Sequence, residues 1–392
     1  MSWRRFKRNR LAYCALWFII LMVVMSIMGY LITPDNTPFA NDQHLELSAK
    51  KPCFRVNMLY VRKNEIIPAQ NFLHVMLFGQ KCSYISVPYN NYSFKDDLIS
   101  IEEYADTGTT SKRYLTYNIA DVLYPVDIQK EIFLQQDTLH FTDLYGRKHM
   151  EAIQELRALI KKNNIKSRRY LLGTDKFGRD VLSQLMIGAR VSLSVGFIAV
   201  FISLIIGITL GALAGFFRGW LDNLIIWFIN VVWSIPTLLL VIAITFALGK
   251  GFWQVFVAVG LTMWVEVARV VRGQILSVRE KEFVEAGKAL GFSNFRIISK
   301  HILPNIMGPV IVISAANFAA AILIEAGLSF LGIGVQPPMP SWGTMIKENY
   351  PYIILDSAHL AILPGVAIML LVLAFMIIGN GLRDALDVKI VR

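Results

Sequence analysis

The first residues in this sequence that could do chemistry are two aspartates set among glycines. Asp175 and Asp180 lie in the segment 172–180, LGTDKFGRD. Such a segment could hold a metal ion or a phosphate group. Its spacing matches no cation-binding loop, because the acidic residues do not recur at the alternate positions that such a loop requires. Asp175 is instead placed to cap the amphipathic helix that follows it. The segment therefore predicts a helix start and no metal site.

Three further ionisable residues lie in or beside long apolar runs, where a charge can act on protons or ions. Glu325 could carry protons, or it could be a buried anchor for hydrogen bonds; the anchor is our prediction. Glu266 and Arg269 are three residues apart, a spacing that brings opposite charges together on one side of a helix. We expect them to form a local, structural ion pair near the cytoplasmic end of their helix.

Several catalytic arrangements are missing from the sequence. It contains no G-x-x-x-x-G-K-S/T run for nucleotide phosphates, no HExxH motif, and no Ser/His/Asp arrangement that stands out. The three cysteines form no CxxC pair, which leaves zinc and redox sites unsupported. Cys53 and Cys82 could form a disulfide if their region lies in an oxidising compartment, or they could be two free thiols. We predict a non-catalytic chain that binds no cofactor.

The elements that must position these residues are mostly apolar, since hydrophobic residues make up 55% of the 392 positions. A run of about 20 apolar residues is long enough to cross a bilayer as a helix. We predict an all-α polytopic membrane protein with six transmembrane helices and a mixed α/β extracytoplasmic insert after the first helix. The predicted spans are residues 11–32, 191–217, 224–248, a span that starts at 252, 306–324 and 360–382.

The prediction divides the chain into three parts. Residues 1–32 form a basic N-terminus and the first span, residues 33–172 form the insert, and residues 173–392 form a core of five spans with a loop at 278–304. The net charge of +11 is a topological signal, because short basic loops tend to stay in the cytoplasm. Counting crossings then places both termini and the loop in the cytoplasm, and the insert outside.

The loop 278–304 is short, charged and amphipathic, and it joins two apolar spans. Residues 278–290 predict one helix, which Gly291 can end in a left-handed conformation. Ser293 can cap a second short helix. That helix would place three apolar residues near one face: Phe295, Ile298 and Ile302. A helix–turn–helix of this kind can lie in a groove on another protein. The alternative is an ordinary charged loop.

The same loop resembles the EAA loop of the permeases of ATP-binding cassette (ABC) importers. The resemblance lies in Glu285-Ala286, Gly291 and the segment 302–304, Ile-Leu-Pro, at the spacing of that family. Gly287 departs from the family, which usually has alanine there, and His301 departs from the usual aliphatic residue. Neither departure changes the predicted helix–turn–helix. In that family the loop docks on the ATP-hydrolysing subunit.

Other segments narrow the resemblance to one branch, the second membrane subunit of oligopeptide, dipeptide and nickel importers. The matching segments are 172–180, 188–193, 325–334 with 341–343, and 382–387. Two tail positions depart from the branch, Asn380 and Val388. The insert departs more, because the first external loop of that branch is usually considerably shorter. The role of the insert is therefore not implied by the resemblance.

The resemblance implies a permease subunit that forms half of a translocation pathway for peptides or a related small solute, in a bacterial inner membrane. Its partners would be ABC ATPase subunits, a second homologous permease, an extracytoplasmic solute-binding protein and membrane lipids, with no nucleic acid. Glu285 would act across an interface, since we place it near the end of a short helix, where the helix dipole contributes little. The residues assigned to ATPase coupling are Glu285, Ala286, Gly287, Gly291, Ile302, Leu303 and Pro304.

Two other classes of protein compete with this prediction. An ion- or proton-coupled secondary carrier would place several acidic or basic residues in mid-span and would contain inverted repeats. A membrane-tethered sensor would need far fewer than six spans. The sequence favours the importer subunit over both.

Overall fold

The computed structural model describes residues 2–68, 70–105, 112–249 and 251–386. Asp387 and Val388 of the predicted tail lie outside these ranges. The chain divides into two compact units. The first, which we call the membrane unit, contains Met1–Ile27, Ile187–Ile353 and Ala358–Arg392. The second, the insert unit, contains Met28–Met186 and Ile354–Ser357.

The helices are numbered in chain order. They are α1 (Ser2–Arg8), α2 (Arg10–Ile32), α3 (Phe72–Phe78), α4 (Ile119–Leu123), α5 (Ile153–Leu159), α6 (Val181–Phe217), α7 (Gly219–Trp233), α8 (Thr237–Leu248), α9 (Phe252–Val278), α10 (Glu282–Ala289), α11 (Asn294–Arg296), α12 (Leu303–Leu331), α13 (Trp342–Asn349) and α14 (His359–Leu386). Short 3-10 turns occur at Pro38–Ala40, Leu45–Leu47 and Tyr350–Ile353, and π-helical turns at Ile160–Asn164 and Ile297–Ile302.

Five helical runs in the described chain are long and apolar enough to cross a membrane: α2, α6, α9, the run Asn294–Leu331, and α14. Helices α7 and α8 make a sixth span if they are counted together, although they are bent by 92°. The predicted fold class of six spans is therefore confirmed. The break falls at Pro236, because proline lacks the N–H that would continue the hydrogen-bond ladder of α7.

A row of glycines on α6 brings that helix unusually close to α9. A Cβ atom added at Gly207 would lie 2.5 Å from the Cβ of Val267, and one added at Gly211 would lie 2.5 Å from the carbonyl oxygen of Ala268. Gly215 continues the row at the same spacing of four residues. Small residues at this spacing let two membrane helices approach backbone to backbone. The α6–α9 pair is therefore packed without room for a single methyl group.

The insert unit contains two antiparallel sheets, which confirms the predicted mixed α/β insert. The larger sheet has the strand order β4-β3-β2-β1-β8 and the smaller one has the order β5-β6-β7. Buried residues such as Leu59, Ile99 and Leu156 form its apolar core. The strands are β1 (Phe54–Arg62), β2 (Tyr84–Lys95), β3 (Leu98–Glu103), β4 (Tyr114–Asn118), β5 (Phe133–Gln135), β6 (Thr138–Thr142), β7 (Lys148–Ala152) and β8 (Ile165–Tyr170).

The structure contradicts the candidate disulfide between Cys53 and Cys82, because both thiols are free and exposed. Cys53 directly precedes β1 and Cys82 lies just before β2. The two strands are antiparallel, and Tyr84 pairs with Arg62 at the far end of β1. Eight residues of strand therefore separate the two ends, about 26 Å at 3.3 Å per residue. A disulfide requires Cα atoms within about 7 Å of each other, so the free thiols are the correct alternative.

The helix cap predicted at Asp175 is wrong, because Asp180 fills that position. The Asp180 carboxylate accepts hydrogen bonds from the backbone N–H and the hydroxyl of Ser183, at 2.9 and 2.5 Å. Asp175 instead closes the preceding turn, accepting from the backbone N–H of Phe177 and from that of Arg179, both at 2.9 Å. Sequence reasoning chose the wrong aspartate because the helix starts at Val181, six residues after Asp175.

Candidate functional site

The loop 278–304 is built from two helices joined by a glycine turn, as predicted, but its first helix is shorter than expected. Helix α9 ends at Val278, three residues turn the chain, and α10 begins at Glu282. Lys281 has extended backbone angles at the cap of α10, which interrupts the single helix predicted over residues 278–290. The loop therefore consists of a separate eight-residue helix rather than an extension of the membrane helix.

Gly291 ends α10 in a complete Schellman motif. Its φ angle is +74°, in the left-handed region that favours glycine. The backbone N–H of Gly291 donates to the carbonyl oxygen of Lys288 at 2.9 Å, and that of Phe292 donates to the carbonyl oxygen of Gly287 at 3.0 Å. Ser293 then caps α11 by accepting a hydrogen bond from the backbone N–H of Arg296 at 3.4 Å. The two short helices are thus joined by a turn with one defined geometry.

One face of the loop is buried in the membrane unit. Val284, Ile297 and Ile302 are fully buried, and Gly287 is buried beside them. Val284, Ile297 and Ile302 belong to one apolar cluster with residues of α6, α9 and α12: Ala212, Phe216, Val267, Val271, Ile275, Ile306 and Val310. Because the cluster is continuous, the loop is part of the packed core of three membrane helices. A displacement of α10 would therefore also displace these three membrane helices.

The opposite face carries large apolar side chains that the described residues leave uncovered. Leu290 is 72% exposed and Phe295 is 81% exposed. From Glu285 to the end of α10, every residue except Gly287 is also exposed. The prediction that Phe295 shares a face with Ile302 is wrong, because the chain from 297 to 302 is π-helical and changes the angular spacing of the side chains. The exposed apolar residues instead line a surface suited to protein contact.

Glu285 lies in the first turn of α10, not near its end as the sequence suggested. The helix begins only at Glu282, so the carboxylate of Glu285 is close to the positive end of the helix dipole. This position stabilises the short helix and also leaves the side chain exposed. An acidic group held in this way can serve both the helix and a partner surface.

The two residues that depart from the resembling family fit the geometry of the loop. A Cβ atom added at Gly287 would lie 3.6 Å from the ring of Phe292, an ordinary contact, so alanine would fit there. The ring of His301 stacks on that of Phe292 with 5.6 Å between centroids. The guanidinium of Arg296 lies 4.1 Å from the centroid of the same ring. An aromatic stack thus takes the place of an aliphatic contact.

Three arginines link the end of α9 and the start of the loop to the end of α6 and the start of α7. Arg272 donates two hydrogen bonds to the carboxylate of Asp222, at 2.6 and 2.7 Å. Arg279 donates to the carbonyl oxygen of Phe216 at 2.5 Å. Arg218 donates to the carboxylate of Glu280, also at 2.5 Å. The planar guanidinium of Arg272 binds both oxygens of Asp222 in a fixed orientation, so this pair anchors α9, just before the loop, to the start of α7.

Glu325 has a structural position in the membrane unit. Glu325 is fully buried, and one of its oxygens accepts a hydrogen bond from the Ser329 hydroxyl at 2.7 Å. The same hydroxyl accepts from the backbone N–H of Val335 at 3.1 Å. These bonds hold the glycine-rich bend after α12 against the helix. The arrangement is that of a hydrogen-bonding anchor.

The predicted ion pair between Glu266 and Arg269 is wrong. Arg269 donates to the side-chain oxygen of Asn230 at 2.9 Å, and its guanidinium lies 3.5 Å above the ring of Trp233. By residue count, Glu266 lies near the middle of helix α9. It is 14 residues from the start of α9 and 12 from its end, about 21 and 18 Å from the two ends at 1.5 Å per residue. Arg272, six residues and about 9 Å further along the helix, pairs with Asp222 at the start of α7, so Glu266 lies in the half of the span nearer to the loop.

The insert unit contains a polar cluster that sequence reasoning missed. The ring nitrogen Nε2 of His44 lies 3.1 Å from the hydroxyl of Ser86 and 3.3 Å from the carboxylate of Asp42, to which Arg168 donates at 2.7 Å. Because one ring nitrogen faces both groups, the cluster cannot relay a proton as a catalytic triad does. Burial would raise the pKa of Asp42, but its bond with His44 and the charge of Arg168 hold that pKa well below its usual range.

No group of His, Cys, Asp or Glu residues in the described ranges could hold a metal ion. No local motif marked the polar cluster of Asp42, His44, Ser86 and Arg168, because most of its members are far apart in the sequence. Asp42 and Arg168, for example, are separated by 126 residues. The loop at 278–304 is therefore the part of the membrane unit with the geometry of a functional surface.

The chain matches two family profiles. Residues 207–392 match the "Binding-protein-dependent transport system inner membrane component". Residues 1–52 match the "N-terminal TM domain of oligopeptide transport permease C". The larger part of the insert, together with the larger part of α6, lies between the two matched segments.

Individual proteins are also similar to this chain. It is 46% identical over 224 residues to the dipeptide transport system permease protein DppC of Alkalihalophilus pseudofirmus, covering 57% of this chain and 73% of that protein. It is 40% identical over 224 residues to the glutathione transport system permease protein GsiD of Pectobacterium atrosepticum, covering 57% and 74%. Among solved structures, a chain of the MetNI methionine ABC transporter in an inward-facing conformation has a TM-score of 0.45 at 19% identity, covering 53% of this chain and 98% of that one.

Proposed function

Because this chain belongs to the family of inner membrane components of binding-protein-dependent transport systems, we propose that it is the permease subunit of an ABC importer for dipeptides or glutathione-like peptides. It is a multi-pass inner membrane protein and a non-catalytic subunit of its complex. It works with an ATPase and a binding protein. The substrate class rests on the names of the two relatives above, which transport a dipeptide and glutathione.

The observation that carries the proposal is that one face of the loop 278–304 is buried in the membrane unit while the other is exposed. Its inner face is continuous with the core of α6, α9 and α12, and its outer face presents Glu285, Leu290 and Phe295. A partner that grips the outer face can therefore move three membrane helices at once. ATPase closure would push the loop sideways and rock the helices between two packed states.

We further propose the arrangement of the complex around this chain. A second, homologous permease supplies the other half of the translocation pathway, because six spans line only one wall of a path wide enough for a peptide. Both termini and the loop lie in the cytoplasm, and the insert lies outside, where the solute-binding protein approaches. Membrane lipids surround the complex, and neither a nucleic acid nor a resident cofactor takes part.

Reconstitution of the whole complex in proteoliposomes tests the proposal. With the loaded binding protein outside and ATP inside, the wild-type complex should accumulate radiolabelled Ala-Ala. Glu285→Lys reverses the charge of the outer face, so the variant permease should lose most of its ATPase in co-purification and at least tenfold in uptake. Glu131→Lys, the same change at an exposed position in the insert, is the matched control and should retain both.

The same experiment separates the importer from the secondary carrier. Uptake that continues without ATP and stops when an ionophore collapses the ion gradient would contradict the proposal. Wild-type ATPase retention and uptake in Glu285→Lys would show that this loop is not the coupling surface.

A further inference from the structure

Helix α3, in the connection between β1 and β2, is apolar and is left uncovered by the described parts of the chain. Its sequence, FLHVMLF, contains no Asp, Glu, Lys or Arg. None of its seven residues is buried, and Phe72, Leu73 and Phe78 are 65%, 64% and 63% exposed. A helix this short is marginal in water unless an apolar face packs against something. An apolar surface outside the chain is therefore needed to cover α3.

The C-terminal end of α3 is fastened to the segment in which the chain leaves its first span. The backbone N–H of Gln80 donates to the carbonyl oxygen of Asn36 at 2.8 Å, and the Asn36 side-chain amide donates to the side-chain oxygen of Gln80 at 3.2 Å. Gly79 has a φ of +81°, and a Cβ atom added there would lie 3.0 Å from both the Asn36 carbonyl oxygen and the nitrogen of Pro38. Asn36 is only four residues beyond Ile32, the last residue of α2. The end of α3 therefore lies against the chain just where it leaves α2.

A hydrogen bond ties the same segment back to α2 itself. The backbone N–H of Phe39 donates to the hydroxyl of Tyr30 at 3.1 Å, and Tyr30 lies in the last turn of α2. Residues 33–39 therefore stay beside the end of the helix instead of leading away from it. Helix α2 has 23 residues and is about 35 Å long, slightly more than the hydrocarbon thickness of about 30 Å. Its last turn, and with it the end of α3, lies at the boundary between acyl chains and headgroups.

From this placement we propose that α3 is an interfacial anchor, which lies on the bilayer surface and buries Phe72, Leu73 and Phe78 among the lipids around α2. Amphipathic and apolar helices bind membranes in this way, with their apolar side chains at the acyl boundary and polar groups at headgroup level. Asn71 precedes α3 and Lys81 follows it, and both are exposed, so polar side chains flank the apolar run. Lipid is the occupant because α3 is held where lipid surrounds the chain. The insert would thus be attached to the bilayer at a second point besides α2, whatever solute is transported.

The test measures what surrounds α3 in the complete complex, in nanodiscs of phosphatidylethanolamine and phosphatidylglycerol. The native cysteines are replaced by serine, and a nitroxide spin label is attached at Leu73→Cys. Electron paramagnetic resonance then compares collisions of the label with oxygen, which concentrates in lipid, and with a neutral nickel chelate, which stays in water. The ratio of oxygen to nickel collisions should be several-fold higher at Leu73→Cys than at Glu131→Cys. Glu131 is the control because it is exposed in the same unit and its native side chain is charged.

A second variant tests whether the apolar side chains hold α3 in the lipid. Phe78→Asp places a charge in the anchor, so the ratio measured at Leu73→Cys should fall towards the control value. Phe133→Asp is the matched control, because Phe133 is also an exposed phenylalanine of the insert, at 54%. This variant should leave the ratio at Leu73→Cys unchanged.

Three results would overturn the anchor. A label at Leu73→Cys that meets nickel as often as the control label would show that α3 lies in water. A label shielded from both reagents, with or without the binding protein, would show that a protein covers α3 instead of lipid. A high ratio that persists in Phe78→Asp would show that the rest of the chain, and not the apolar face of α3, keeps the label in the lipid.

Discussion

At the scale of single residues, the loop depends on backbone conformation as much as on side chains. Gly291 has a φ of +74° and no atom within 4 Å of an added Cβ, so only conformational strain penalises a substitution there. Gly287, four residues earlier, lies in regular helix and has room for a methyl group. The two glycines of one short loop therefore differ in what they tolerate.

Gly291→Val should strain the left-handed turn by about 1–2 kcal/mol or more and rotate α11 relative to α10. The exposed residues Leu290 and Phe295 would then no longer present one surface. We expect normal abundance in the membrane, reduced ATPase co-purification and strongly reduced peptide uptake. Gly287→Ala should preserve all three. Normal ATPase retention and uptake by Gly291→Val would contradict the role given to the turn.

The lowered pKa of Asp42 predicts that the stability of the insert depends on pH. Its pKa in the folded state is held below the usual value, so its ionised form stabilises the fold. That contribution is complete above pH about 4 and is lost as the pH falls through the lower, folded-state pKa. Asp42→Asn should therefore reduce the hydrogen-exchange protection of β1 and β8 by about 1–3 kcal/mol at pH 7. The difference from wild type should shrink as the pH falls below about 4.

Asp121→Asn is the control variant, because the pKa of Asp121 is shifted in the opposite direction to that of Asp42. Burial raises the pKa of Asp121, so its ionised form opposes folding at neutral pH. The asparagine variant should be at least as well protected as wild type at pH 7. A loss of protection equal to that of Asp42→Asn would show that any change to a buried carboxyl weakens the insert.

At the scale of elements, the sequence predicted what depends on local composition and missed what depends on packing. The spans were evident because about 20 apolar residues suffice to cross a bilayer. The break at Pro236 was expected as a kink, yet its 92° angle is set by how α8 packs against α9. The start of α10 at Glu282 was missed because residues 278–290 contain good helix formers throughout. Nothing local marks the turn that separates it from α9.

The α6–α9 contact gives a prediction at this scale. Gly211→Ala would place a methyl group 2.5 Å from the carbonyl oxygen of Ala268, so the helices must separate, at a cost of about 1–3 kcal/mol. The variant should accumulate less in the membrane or unfold at lower temperature. Gly273→Ala on α9, where an added Cβ meets nothing, should be neutral or stabilising. Equal thermal stability of the two variants would contradict the close contact.

At the scale of the whole molecule, the orientation of the chain is the first property to test. Cys53 and Cys82 are exposed in the insert and free, so they report directly on which side of the membrane it lies. Both should react with an impermeant maleimide in intact cells, after permeabilisation of the outer membrane where one is present. Cys53→Ser with Cys82→Ser should abolish this labelling. Labelling that requires lysis of the inner membrane would reverse the proposed topology.

The helical run from Asn294 to Leu331 contains 38 residues, from the second half of the loop to the glycine-rich bend. At 1.5 Å per residue it is about 57 Å long, longer than the roughly 40–45 Å thickness of a bilayer with its headgroups. If this helical run tilts about a point inside the membrane, its two ends move in opposite directions. A tilt of about 10° would shift one end relative to the other by about 10 Å over that length. A displacement applied at one membrane face can thus be transmitted to the other along this run.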